Sequence, residues 1–121
     1  MDSYLDGWRT GDAEKSLQAT SEIFFYDDPA TGRVTRENFI GFVEDFKAAG
    51  AELSGGRVPS PFLQYSDLSI CEGTPSTAWC WWCVTGTDLQ GSALIRFDDR
   101  GILSERIAYF TKDPVATAIP D

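Results

Sequence analysis

Cys80 and Cys83 stand three residues apart inside TAWCWWCV, residues 77–84. A C-x-x-C pair does thiol–disulfide chemistry when its first cysteine sits at a helix N-terminus, and it supplies half a zinc site when other cysteines or histidines complete the set. Here the pair lies in an aromatic run that reads as a strand, where residues three apart point to opposite faces. The chain has no histidine. Neither a disulfide nor a metal site is therefore expected of the pair, and no cofactor is implied. Acid–base chemistry is left to Asp, Glu, Tyr, Cys or Lys.

Length and composition narrow the classes of function. The chain has 121 residues, enough for one domain with one core. Its net charge is −9, and its ten Lys and Arg are scattered, which argues against nucleic acid. No apolar run approaches the ~20 residues of a membrane span, and Asp2 and Asp6 interrupt any secretory leader. Three cysteines without a secretory context read as reduced thiols in a cytoplasmic protein.

The elements that must position any site follow from periodicity. Tyr4, Leu5 and Trp8 recur at helical spacing, with Gly11 as the stop, and Asp12 is placed to cap a short helix over Ala13 to Ala19. Ile23 to Tyr26 suits a strand, and Asp27-Asp28-Pro29 with Thr31-Gly32 marks a turn. Thr35 caps the clearest helix, in which Phe39, Phe42, Val43 and Phe46 form one stripe, and Gly50 marks its end. After a loop from Ser54 to Pro61 come strands at Phe62 to Cys71, Thr77 to Thr87, Gly91 to Phe97 and Leu103 to Thr111. Turns are expected at Asp88 to Gly91 and Asp98 to Gly101. Helices followed by a meander of strands define an α+β fold, with an antiparallel sheet wrapped around helices on one face.

That order, with YLDGWRTGD, FFYDDPATG, TRENFIGFVEDF and RFDDRGILSERIAYFTKDP, resembles the nuclear-transport-factor-2-like superfamily of cone-shaped α+β barrels. The closing segment resembles its SnoaL-like branch. The resemblance spans nearly the whole chain and implies a single SnoaL-like domain over 1–121 that encloses a pocket. Compared with ketosteroid isomerase, Tyr4 matches the tyrosine that donates to the substrate oxyanion, and Asp28, just before Pro29, matches the general-base aspartate. The enzyme's second oxyanion donor falls at Ala93, so half of that oxyanion hole is missing. The histidine of scytalone dehydratase has no counterpart. The final-strand aspartate of limonene epoxide hydrolase falls at Ala108, so that activity is not implied.

With that alignment, strand alternation turns Phe24, Tyr26 and Asp28, then Ala93, Ile95 and Phe97, then Arg106, Ala108 and Phe110 towards the pocket. Trp8 and Phe42 are expected to line it from the helices. Cys80 and Trp82 are placed on the cavity side, with Trp79, Trp81 and Cys83 at a dimer contact, although a one-residue slip would exchange the two sets. Desolvation in such a cavity is expected to disfavour a charged Asp28, and a neighbouring Arg106 to favour it. An aromatic pocket with one Arg, one Asp and one Tyr suits a small organic acid or a hydroxylated aromatic. The expected activity is proton transfer in an isomerase, cyclase or dehydratase. A ligand-binding or dimerisation domain without chemistry is the alternative. Each residue also has a plain structural role open to it: Asp28 in the turn, Tyr4 and Trp8 in the core, Arg106 in an ion pair. The strand Thr77 to Thr87 is apolar on both parities, so a homodimer through the sheet is expected to cover one face.

Overall fold

The structure, a computed structural model, describes residues 1–110. Thr111, the expected end of the last strand, and the residues after it lie outside the described residues. Helix α1 (Asp2–Thr10) buries Tyr4, Leu5 and Trp8 and ends where Gly11 turns left-handed at φ 75°. Only a residue without Cβ adopts that angle cheaply. Asp12 then caps α2 (Ala13–Gln18), its side chain accepting from the Lys15 amide at 3.2 Å. Strands β1 (Thr20–Asp28) and β2 (Gly32–Thr35) form a hairpin that precedes α3 (Arg36–Leu53). Strands β3 (Leu63–Cys71), β4 (Ser76–Val84), β5 (Gln90–Asp98) and β6 (Gly101–Phe110) complete the chain.

The six strands form one curved sheet in the order β2-β1-β6-β5-β4-β3, which is open at β2 and β3. All neighbours are antiparallel except β1 and β6. The helices fill the concave face. Helix α3 buries Phe39, Val43, Phe46 and Gly50 along one stripe, and Trp8 of α1 meets Tyr26, Phe39, Phe42 and Phe46 at ring separations of 5.6–6.4 Å. None of the described helices is long and apolar enough to cross a membrane.

Two glycines read as punctuation do other work. Helix α3 runs through Gly50 to Leu53, and a Cβ on Gly50 would lie 2.8 Å from the Phe62 ring and 3.2 Å from Val84. Gly50 is there for close approach of helix and sheet. Likewise β4 stops at Val84, the chain reverses over residues 85–89, and Gly91 belongs to β5. A Cβ there would sit 1.8 Å from the Ala108 carbonyl oxygen.

The last hairpin sets which side chains enter the cone. Asp98 pairs with Gly101 and Phe97 with Ile102, as the DDRG turn predicts, but Arg96 pairs with Ser104. Leu103 is an extra residue, a β-bulge, and beyond it every side chain of β6 changes face. Ala93 thus pairs with Ile107 rather than with Arg106. Glu105 and Ile107 are buried, whereas Arg106 is exposed. The expectation that Arg106, Ala108 and Phe110 point into the cone is therefore corrected: all three lie on the convex face.

Candidate functional site

Two tyrosine–carboxyl pairs occupy the concave side. The deeper one joins α1 to β6, with the Tyr4 hydroxyl donating to Glu105 Oε1. Both residues are fully buried, and Tyr26 stands directly beside Glu105 across the β1–β6 ladder. Burial disfavours the carboxylate and pushes Glu105 up to about 7, with the Tyr4 hydrogen bond pulling the other way. Burial, and then the Glu105 charge, raises Tyr4 and Tyr26 well above the ordinary phenol value and brings Cys80 up to about 12. Cys80 is thus a buried thiol, on the face opposite Cys83.

The second pair lies at the mouth. Asp28 ends β1, and its Oδ1 accepts from the amides of Ala30 (2.7 Å) and Thr31 (3.0 Å). That is the turn role open to an aspartate before proline. Its Oδ2 accepts from the Tyr109 hydroxyl of β6. Burial, and then the Asp28 hydrogen bond, raises the pKa of Tyr109, so this hydroxyl stays protonated and acts as a donor. A pocket of about 210 Å³ opens beside the pair, lined by Asp28, Thr31, Phe42, Asp45, Phe46 and Tyr109, with Ala30 and Ala49 completing the wall. Phe42, Asp45, Phe46 and Ala49 recur at helical spacing, so one stripe of α3 forms that wall. A larger depression of about 550 Å³ lies by Leu53 and Gly86–Leu89 and contains neither tyrosine–carboxyl pair.

Of the residues singled out from the sequence, Asp28 and Phe42 line the mouth pocket. Trp82 stands behind it, its ring 5.7 Å from Tyr109 and 5.8 Å from Phe46. Tyr4, Trp8, Phe24, Tyr26, Cys80, Ala93 and Ile95 are packed core, between 0% and 3% exposed, and none of them lines the mouth pocket, though Phe24 borders a separate depression by Thr35 and Arg36. Tyr4 hydrogen-bonds Glu105, not Asp28. Arg106 pairs with Asp27 on the convex face, at 3.3 Å, and Phe110 stacks near Trp81 there. Cys80 and Trp82 face inward while Trp81 is exposed, so this strand adopts the first of the two registers considered.

Glu105 and Tyr109 were missed because the bulge exchanged the faces of β6. The sequence does hold a trace of it. Ile102 and Ile107 are both apolar but five residues apart, and strict alternation cannot bury both. An extra residue between them can. Among the described residues, no group of three or more Cys, Asp or Glu converges as a metal site would require.

No family model matches the sequence, and no curated protein does. Solved structures do resemble the fold. A nuclear-transport-factor-2-like protein from Cytophaga hutchinsonii superposes with a TM-score of 0.63 at 15% identity, covering 90% of this chain and 91% of that one. A Kribbella flavida protein provisionally named a ketosteroid isomerase gives 0.60 at 15% identity, over 99% and 84% of the two chains. A Pseudomonas putida protein provisionally named a polyketide cyclase gives 0.58 at 15% identity, over 95% and 92%. At such identities the likeness is one of architecture: the chain has the nuclear-transport-factor-2-like fold.

Proposed function

We propose that the mouth pocket is the site of a small-molecule enzyme that works by acid–base proton transfer, with Asp28 as the base. The observation that carries this reading is a buried aspartate, fixed by three hydrogen bonds, beside an aromatic-walled pocket. Two turn amides hold Oδ1, so Oδ2 is presented in a set direction before any substrate arrives. Oδ2 takes a proton from the carbon next to a carbonyl. The C–H electron pair passes into an enolate, and the protonated carboxyl returns its proton to another carbon or to a departing oxygen. As Oδ2 takes up the substrate proton it ceases to hold the Tyr109 hydroxyl, whose one O–H then turns from Asp28 to the developing oxygen charge and stabilises it. Isomerisation, aldol-type cyclisation and dehydration all share this first step. A second copy of the chain over the convex sheet face is part of the same proposal.

The shared step supplies the test. Small aromatic ketones in D₂O exchange their α-protons, and NMR follows the loss of signal. The native protein is expected to accelerate exchange, and Asp28→Asn to lower that acceleration by roughly 10²–10⁴-fold, the usual contribution of a general base. Equal exchange by both proteins would remove the role of Asp28. The alternative is a binding domain without chemistry, favoured by the two turn amides that Asp28 serves in any case. Ligand binding at this pocket with no exchange of any ketone would decide for it.

A further inference from the structure

Resting on the mouth pocket as the ligand site, we infer that its ligand is a small organic cation, an ammonium-type group carried on a single apolar or aromatic ring. The ionisable side chains that line the pocket are Asp28, Asp45 and Tyr109, and no Lys or Arg is among them. Asp28 is held by two amides and a phenol, all neutral donors. Asp45, exposed on the rim, has no ion-pair partner among the described residues. The arginine expected to receive an acidic ligand, Arg106, is on the other face of the sheet and committed to Asp27. A carboxylate ligand would meet two carboxyl groups and no counter-charge. A cation meets the reverse.

The walls suit the same ligand. Phe42, Phe46 and Tyr109 surround the carboxyls with rings, whose negative faces attract an ammonium group while their area takes up its apolar body. Their supports are rigid, since Phe42 and Phe46 lie 6.0 Å apart on one helix and Trp82 backs Tyr109. The volume of about 210 Å³ is below the range of drug-sized sites, which limits the body to one ring with a short chain. At long range, the net charge of −9 draws cations and repels anions.

Three probes of one shape separate charge from fit: phenethylamine, 2-phenylethanol and phenylacetate. Each is titrated to about 10 mM, where millimolar binding is visible, into the ¹⁵N-labelled full chain, reading the Ala30 and Thr31 amides that bond to Asp28. The amine is expected to move these amides with at least ~10-fold higher affinity than the alcohol, a margin that shrinks with added salt, and the acid to leave them unmoved. Asp45→Asn, a surface change, is expected to weaken the amine about three- to tenfold and leave the alcohol unchanged. Equal affinity for amine and alcohol, preference for the acid, or amide shifts scattered over the whole acidic surface would each overturn the inference. Silence of all three probes would overturn it too. None of these results bears on the role of Asp28 as base, which the exchange assay judges independently.

Discussion

Glu105 is a carboxyl group inside an aromatic core, and its proton is linked to the stability of the fold. Its folded pKa is raised from 4.5 to about 7, with burial as the main cause. The native state therefore holds a proton that the unfolded chain has already lost, and stability falls as pH rises from about 4.5 through 7. A shift of that size corresponds to roughly 3 kcal/mol at ~1.4 kcal/mol per factor of ten. Glu105→Gln keeps an acceptor for the Tyr4 hydroxyl and carries no charge at any pH. Urea unfolding of this variant should match the native protein near pH 5 and exceed it by about 2–3 kcal/mol near pH 8. A variant whose profile ran parallel to the native one would show that Glu105 is not the titrating group.

At the scale of elements, the same substitution has opposite signs at two positions of α3. Gly41 is exposed, and a Cβ there meets nothing within 4 Å, so Gly41→Ala should stabilise by about 0.5–1 kcal/mol through helix propensity alone. At Gly50 the added methyl is driven against the buried Phe62 ring and Val84, an overpacking cost of about 1–3 kcal/mol that outweighs the propensity gain. Thermal melts of the two variants should therefore move in opposite directions, and a rise in both would mean that α3 does not press on Phe62 and Val84 as described. Gly50 also shows what the sequence could and could not reveal. The apolar stripe Phe39, Val43 and Phe46 made the helix legible, but a glycine needed for close packing has the same letter as a glycine that ends a helix. The last hairpin gives the same lesson for the site. Its turn, DDRG, was legible from local chemistry, and the inward face of Ala93 and Ile95 on β5 came from the resemblance, whose alignment at Ala93 alternation then extended along the strand. The face of β6 depends on one bulged residue fixed by its pairing with β5, and that alone decided whether Arg106 or Glu105 entered the cone.

For the whole molecule, the sheet has two faces and the chain's own helices cover one. The convex face carries Trp79, Trp81 and Phe110 in contact, with ring separations of 5.1 Å from Trp79 to Trp81 and from Trp81 to Phe110. Trp81 and Phe110 are 36% and 44% exposed, a costly arrangement for side chains of this area unless something covers them. The cover we propose is a second copy of the chain, related by a two-fold axis so that each aromatic cluster meets the other. Each copy carries a net charge of −9, so like charges oppose the association and the aromatic contact favours it. Added salt screens the first and leaves the second in place. Sedimentation at micromolar concentration should thus find a dimer that strengthens as salt rises, the opposite of an interface held by ion pairs. Trp81→Lys should give a monomer with unchanged secondary structure, because the indole lies outside the core. A native chain that sediments as a monomer at both low and high salt would remove the proposed interface, and the aromatic cluster would then need a different partner.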